Sequence, residues 1–134
     1  MGYSFDKLNN EQDGEYFIID EDGDELSCDV EGTLSILLNF CGCGLPEEAL
    51  LYLYGHMKRI QDRWDNQDND PEYLGYKKIE EAFTSKGEFY FFMYWLDKME
   101  FAQHGGSVGG CWLTDKGRVM LNDLTLYLTI EGLI

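Results

Sequence analysis

Apolar residues recur along this chain in two periods, and the change of period divides it. Glu15-Tyr16-Phe17-Ile18-Ile19 has strand composition. Asp22-Gly23 is a turn signal, and Glu25-Leu26-Ser27-Cys28 completes an expected β-hairpin over 15–28. From residue 30 the spacing becomes helical. Leu34, Leu37, Leu38 and Cys41 share one face, Ile36 and Phe40 cover another, and Asp29 caps the start. Gly42 and Gly44 end that helix. Pro46 opens the next in the first-turn position, with Glu47 and Glu48 at its positive end. Its stripe is Leu50, Leu53, Tyr54, Met57, Ile60 and Trp64. His56, Lys58, Arg59, Asp62 and Arg63 are expected on the far, solvated side.

The polar loop 65–70 leads to Asp70-Pro71, a helix start. Leu74, Ile79, Ala82 and Phe83 are its expected buried residues, and Lys86-Gly87 its break. A further helix is expected from Glu88 to about Glu100, with Phe92, Trp95, Leu96 and Met99 in the core. Phe89, Tyr90, Phe91 and Tyr94 then fall on other faces, buried between the preceding helix and the first long one or, as the alternative, forming an aromatic surface for a partner or a second copy. Phe101 to Gln103 and Cys111 to Leu113 read as short strands around His104-Gly105-Gly106-Ser107-Val108-Gly109-Gly110. Thr114 caps a last helix through Met120, Leu121 and Leu124. The tail 124–130 fits a helix and a strand equally, because Leu126, Leu128 and Ile130 alternate with Thr125, Tyr127 and Thr129. The pattern as a whole predicts an α+β, mainly α chain of one domain, residues 1–134. It has a flexible start over 1–14, a hairpin over 15–28, and a helical core over 30–134 with a glycine-rich hairpin at 101–113.

Charge changes this picture most. The 134 residues carry 26 acids against 10 bases, a net charge of −16. Eleven of the acids fall in residues 1–31, where Lys7 is the sole base. Phosphate neutralisation supplies most non-specific duplex affinity, so this balance argues against direct nucleic-acid binding. It allows solubility, a basic partner, or imitation of a nucleic acid's charge. With 44% hydrophobic and 15% aromatic residues, the chain can bury a core. No export signal or membrane-length apolar run is read, so the expectation is a cytoplasmic protein with reduced thiols.

Candidate chemistry is sparse. Asp20, Asp22, Asp24 and Glu31 fall at positions 1, 3, 5 and 12 of a calcium loop. However, Glu25 stands where that loop's sharp turn uses glycine, so no calcium is expected. Cys41-Gly42-Cys43-Gly44 with His56 is the weak zinc alternative. Structural zinc pairs are usually spaced CxxC, and small buried thiols at a helix end explain the motif more simply. His104 and Cys111 lack a third group to orient the histidine, and the glycine segment lacks a phosphate-loop lysine. No catalytic set and no cofactor are expected.

The segment Trp95-Leu96-Asp97-Lys98-Met99-Glu100-Phe101, the hairpin, and Trp112-Leu113-Thr114-Asp115-Lys116-Gly117 resemble the end of a winged-helix domain of the MarR or PadR kind. In that family a recognition helix ends in an L-x-x-x-G-hydrophobic stretch, a wing follows, and LT-x-x-G begins the last helix. Glu100 stands where the family often has glycine. The resemblance implies a winged-helix-like fold and a transcriptional regulator. DNA binding would then need a dimer to bring Lys58, Arg59, Arg63, Lys77, Lys78 and Lys86 onto one face. The helix before the hairpin is instead aromatic, with Lys98 its only base after Glu88, and duplex reading needs polar and basic side chains there.

The leading expectation is therefore a non-enzymatic, acidic protein-interaction module. It would be an inhibitor, adaptor or DNA mimic with the general look of phage or mobile-element accessory proteins. Its expected contact residues are Asp20, Asp22, Asp24, Glu25, Phe89, Tyr90, Tyr94, His104 and Ser107. Its partner would be a basic or nucleic-acid-binding protein, with no membrane and with a homodimer as a further possibility.

Overall fold

The structure is a computed structural model, and it describes residues 4–7, 16–19, 46–66, 79–106 and 110–134. The described chain is mainly helical, with two small antiparallel sheets, an α+β arrangement. Strand β1 (Ser4–Lys7) pairs with β2 (Tyr16–Ile19), Ser4 opposite Ile19 and Lys7 opposite Tyr16. Helix α1 runs Pro46–Asn66 and helix α2 runs Lys86–Lys98. Strands β3 (Ala102–Gln103) and β4 (Trp112–Leu113) pair next, before helix α3 (Asp115–Ile130).

Two compact units emerge, Met1–Leu53 with Val119–Ile134, and Tyr54–Arg118. In the first, Ala49, Leu50, Leu53, Met120, Leu121, Leu124 and Leu128 are buried. In the second, the buried set includes Met57, Ile60, Phe83, Phe89, Phe92, Met93, Trp95, Leu96, Phe101 and Leu113. The stripe expected on α1 is thus largely the buried one, although Trp64 at its end is exposed.

Several boundaries differ from the sequence expectation. Ser4–Lys7 lies in the stretch read as flexible, yet it is a strand. Ser-Phe-Asp-Lys has weak intrinsic strand preference, and pairing with the stronger Tyr-Phe-Ile-Ile supplies what propensity does not. The expected return strand at 25–28 and the helix from residue 30 lie outside the described residues.

Lys86-Gly87 does not break a helix; it forms the first turn of α2. The break comes earlier, in the turn 82–85. Ser85 is the N-cap, and its Oγ accepts from the Glu88 N–H at 3.1 Å. Glu88 reaches back in turn. Its Oε2 accepts from the Thr84 N–H at 3.3 Å and from the Thr84 hydroxyl. This Ser-x-x-Glu arrangement is a capping box whose acidic arm reaches one residue further back than usual.

The tail 124–130 is helix. Leu124 and Leu128, four residues apart, are fully buried, while Leu126 and Ile130 are 61% and 73% exposed. A strand would have put Leu126, Leu128 and Ile130 on one side. Thr125 and Thr129 donate to the carbonyls of Leu121 and Thr125, at 2.8 and 2.6 Å, so their hydroxyls are satisfied within the helix.

Candidate functional site

The described residues between α2 and α3, 99–106 and 110–114, are tied together by a series of hydrogen bonds. Helix α2 ends in a Schellman motif. The Phe101 N–H donates to Leu96 O at 2.9 Å and the Glu100 N–H to Asp97 O at 3.0 Å. Leu96 and Phe101, at the two positions whose apolar contact usually accompanies this cap, are both fully buried. The residue between them, Glu100, has φ of 63°. A left-handed non-glycine residue costs roughly 1–2 kcal/mol, of which the entropy of a glycine replacement returns part. Glu100→Gly is therefore expected to raise unfolding stability by about 1 kcal/mol in urea denaturation. A loss of stability would mean that the Glu100 side chain contributes more than its backbone costs.

Three consecutive carbonyls after α2 are then taken up by the start of α3. Lys116 Nζ donates to Met99 O at 3.2 Å, the Thr114 hydroxyl to Glu100 O at 2.6 Å, and the Thr114 N–H to Phe101 O at 3.0 Å. Thr114 Oγ1 also accepts from the Gly117 N–H at 3.0 Å, as an N-cap does. Gly117 is buried directly against the Phe101 carbonyl. A Cβ there would lie 2.9 Å from the Phe101 carbonyl carbon and nearer still to its oxygen. Arg63 donates to Cys111 O, just before β4, and Arg118 to Leu113 O within it, the latter at 2.9 Å. The hairpin glycines differ from Gly117: a Cβ at Gly105, Gly106 or Gly110 meets nothing within 4 Å.

Among the residues expected to make contacts, Tyr90 and Tyr94 are on the surface, 45% and 56% exposed. They stand one turn apart on α2 with rings 6.2 Å apart and nearly parallel. Phe89 is a correction. It is buried, with its ring against Phe83 at 5.6 Å, because α2 needs an apolar face wider than a single stripe. His104 is partly exposed, with Nδ1 3.0 Å from Gly105 O. Asp20, Asp22, Asp24, Glu25 and Ser107 lie outside the described residues.

His56 is a second correction, since it is buried rather than solvated. Its ring stacks on Phe83 at 4.0 Å and 7° and meets Phe92 at 5.2 Å. Burial, helped by the charge of Arg59 and opposed by that of Glu88, lowers its pKa to about 4. The ring is thus neutral at neutral pH and packs as an aromatic. Cys41 and Cys43 lie outside the described residues. Among the described residues, no group of three or more His, Cys, Asp or Glu is placed to hold a metal ion. Burial also pushes the Cys111 thiol up to about 11, and a thiol held protonated at neutral pH is a poor nucleophile.

Much of the basic side-chain set is engaged locally. Lys58 pairs with Asp62 at 3.4 Å, Arg118 with Asp115, and Arg63 binds the Cys111 carbonyl. Arg59, Lys86 and Lys98 are exposed, while Lys77 and Lys78 lie outside the described residues. An open groove of about 470 Å³ lies beside the start of α2, lined by Glu80, Glu81, Phe83, Ser85 and Lys86. Among the described residues, no helix is long and apolar enough to cross a membrane.

Two local signals in the sequence mark the start of α2 and the burial of His56. Ser85-x-x-Glu88 marks the helix start, and His56 sits three residues after Leu53 and four before Ile60, on the buried face. Compared with protein-family models, curated proteins and solved structures, the chain matches none.

Proposed function

We propose that this chain is a non-enzymatic protein-interaction module of the cytoplasm, an acidic inhibitor, adaptor or DNA mimic of the phage accessory type. It would act on a basic, nucleic-acid-binding protein. The observation that carries this reading is the Tyr90–Tyr94 pair, two large rings kept in water on a chain of net charge −16. Tyrosine supplies contact area at low entropic cost and is enriched where partners meet. The acid-rich residues 1–31 supply long-range attraction to a basic partner, and the tyrosines supply short-range contact. The order of α2, hairpin and α3 supports a winged-helix-like scaffold in which the glycine hairpin is the wing. The aromatic face of α2 then takes the place of a DNA-reading surface.

The pairing of Tyr90→Ala with Tyr94→Ala tests the contact face. Both side chains are exposed, so stability should change by no more than about 0.5 kcal/mol per residue. Partner affinity should fall at least about tenfold if the pair includes a hot spot. Unchanged affinity would remove the tyrosines from the interface. The alternative, a winged-helix transcriptional regulator, draws on the exposed Arg59, Lys86 and Lys98. It predicts a gel shift of duplex DNA by the wild-type chain at low salt, where the proposed function predicts none.

A further inference from the structure

Phe83 borders both the groove beside the start of α2 and the imidazole of His56. It lines the first and stacks flat on the second, 4.0 Å away and 7° from parallel. Both rings are buried. Phe83 sits in the turn 82–85, where the Ala82 and Phe83 N–H groups donate to Ile79 O and Glu80 O at 3.2 and 3.1 Å. The Ser85 cap and the bonds from Thr84 to Glu88 tie this turn to the first turn of α2. The stack on His56 links it to α1. Ring contacts then run on to the surface: Phe83 to Phe89 at 5.6 Å, Phe89 to Tyr90 at 5.0 Å, and Tyr90 to Tyr94 at 6.2 Å.

We propose that Phe83 and its turn form a lid over His56, released when the imidazole takes up a proton, and that release loosens the footing of Tyr90. The consequence for a partner rests on the contact role proposed for Tyr90 and Tyr94; the lid itself does not.

A neutral imidazole packs against phenylalanine as one aromatic on another. Charging it in place is opposed by burial and by Arg59 on the same helix, and favoured by Glu88 on α2. The first two prevail, and the pKa falls to about 4. Cation–π attraction to Phe83 is small beside the hydration a buried cation loses. The turn 82–85 carries no charged side chain, while Glu80, Glu81 and Lys86 line the groove outside it. Opening the lid lets water reach the imidazolium beside that net acidic wall. A short turn at the edge of the groove opens at lower cost than the helices behind it. Above the ordinary pKa of 6.5 the ring is neutral with the lid open or closed, and closure is favoured in full. As pH falls towards 4, the open form gains a proton that the closed form refuses.

Amide hydrogen exchange on the chain alone tests the lid, at about pH 7 and about pH 5, with each rate divided by its intrinsic value. The Phe83, Glu88 and Phe89 amides should be protected at both, yet less so than Met57 and Ile60 within α1. Their opening should rise about twentyfold on acidification, as a ring that titrates at 6.5 when open and about 4 when closed requires. His56→Phe should abolish that rise. Phe83→Ala gives an independent reading by NMR titration: with α1 still protected, the His56 midpoint should move up from about 4 towards 6.5. Protection at Phe83, Glu88 and Phe89 that is absent at pH 7, equals that of Met57 and Ile60, or keeps its pH response in His56→Phe would overturn the lid. A His56 midpoint that stays near 4 in Phe83→Ala would do the same. No partner enters these measurements, so the lid and the contact role of the tyrosines can fail separately.

Discussion

Gly117→Ala is expected to be the most damaging small substitution in the described chain, costing about 3 kcal/mol or more. Alanine normally stabilises a helix by about 1 kcal/mol relative to glycine. At residue 117 the added methyl would sit inside the Phe101 carbonyl. The obstacle is backbone, so no side chain can swing away. The same carbonyl accepts from the Thr114 N–H, and its two predecessors accept from Thr114 and Lys116. Moving α3 far enough to admit the methyl would stretch all three bonds together. Overpacking alone costs about 1–3 kcal/mol, and each strained hydrogen bond adds on the order of 1 kcal/mol. Urea denaturation of the two proteins checks this value. A stabilised alanine variant would mean that Gly117 is there for helix flexibility and not for close approach.

Acid should destabilise the protein through His56 before most carboxylates contribute. The neutral ring is the form the fold favours, because its pKa falls from an ordinary 6.5 to about 4 on folding. Above about pH 6.5 the ring is neutral in both folded and unfolded chains, and its full contribution is present. As pH falls from 6.5 towards 4, the unfolded chain takes up a proton that the folded chain refuses. Stability then drops by about 1.4 kcal/mol per pH unit, roughly 3 kcal/mol across the window. His56→Phe keeps a ring against Phe83 and Phe92 and removes the titration. The difference between wild type and variant, measured at several pH values, isolates His56 from the carboxylates. It should change by roughly 3 kcal/mol between pH 7 and 4. A difference independent of pH would place the ring in water.

How much was legible depended on whether a signal was local. Pro46 and the stripe from Leu50 to Ile60 place α1 directly, since the helix period and the first-turn proline agree. The strands beside the glycines and the Thr114 cap were also readable, because turn and cap residues act within a few positions. Two expectations fail, at Lys86-Gly87 and at Phe89 with His56, and the tail stands open between two patterns until packing decides it. Lys86-Gly87 has a breaker's composition, yet the Ser85 and Glu88 cap lets it start a helix. Thr125, Tyr127 and Thr129 imitate strand alternation, while burial of Leu124 and Leu128 selects the helix. Phe89 and His56 were read as surface because polar or surplus positions default there; Phe83 packs against both.

The candidate surfaces were legible only in part. An excess of aromatics on α2 was plain, but its division into buried Phe89, Phe92 and Trp95 and exposed Tyr90 and Tyr94 required packing. The use of Gly117 was hidden for a related reason. Close approach between backbones leaves no mark in the sequence except the glycine itself. Glu100 shows the same limit from the other side, since a left-handed residue without glycine cannot be read from composition.

The central claim is that an acidic chain meets a basic protein through its charge and through Tyr90 and Tyr94. The most direct measurement is capture from the native host extract on immobilised wild-type chain and on the double tyrosine-to-alanine variant, eluted along a salt gradient. The account predicts a basic protein held by the wild type, released as ionic strength rises, and lost or released earlier from the variant. Retention indifferent to both salt and the tyrosines, or direct retention of duplex DNA, would contradict it.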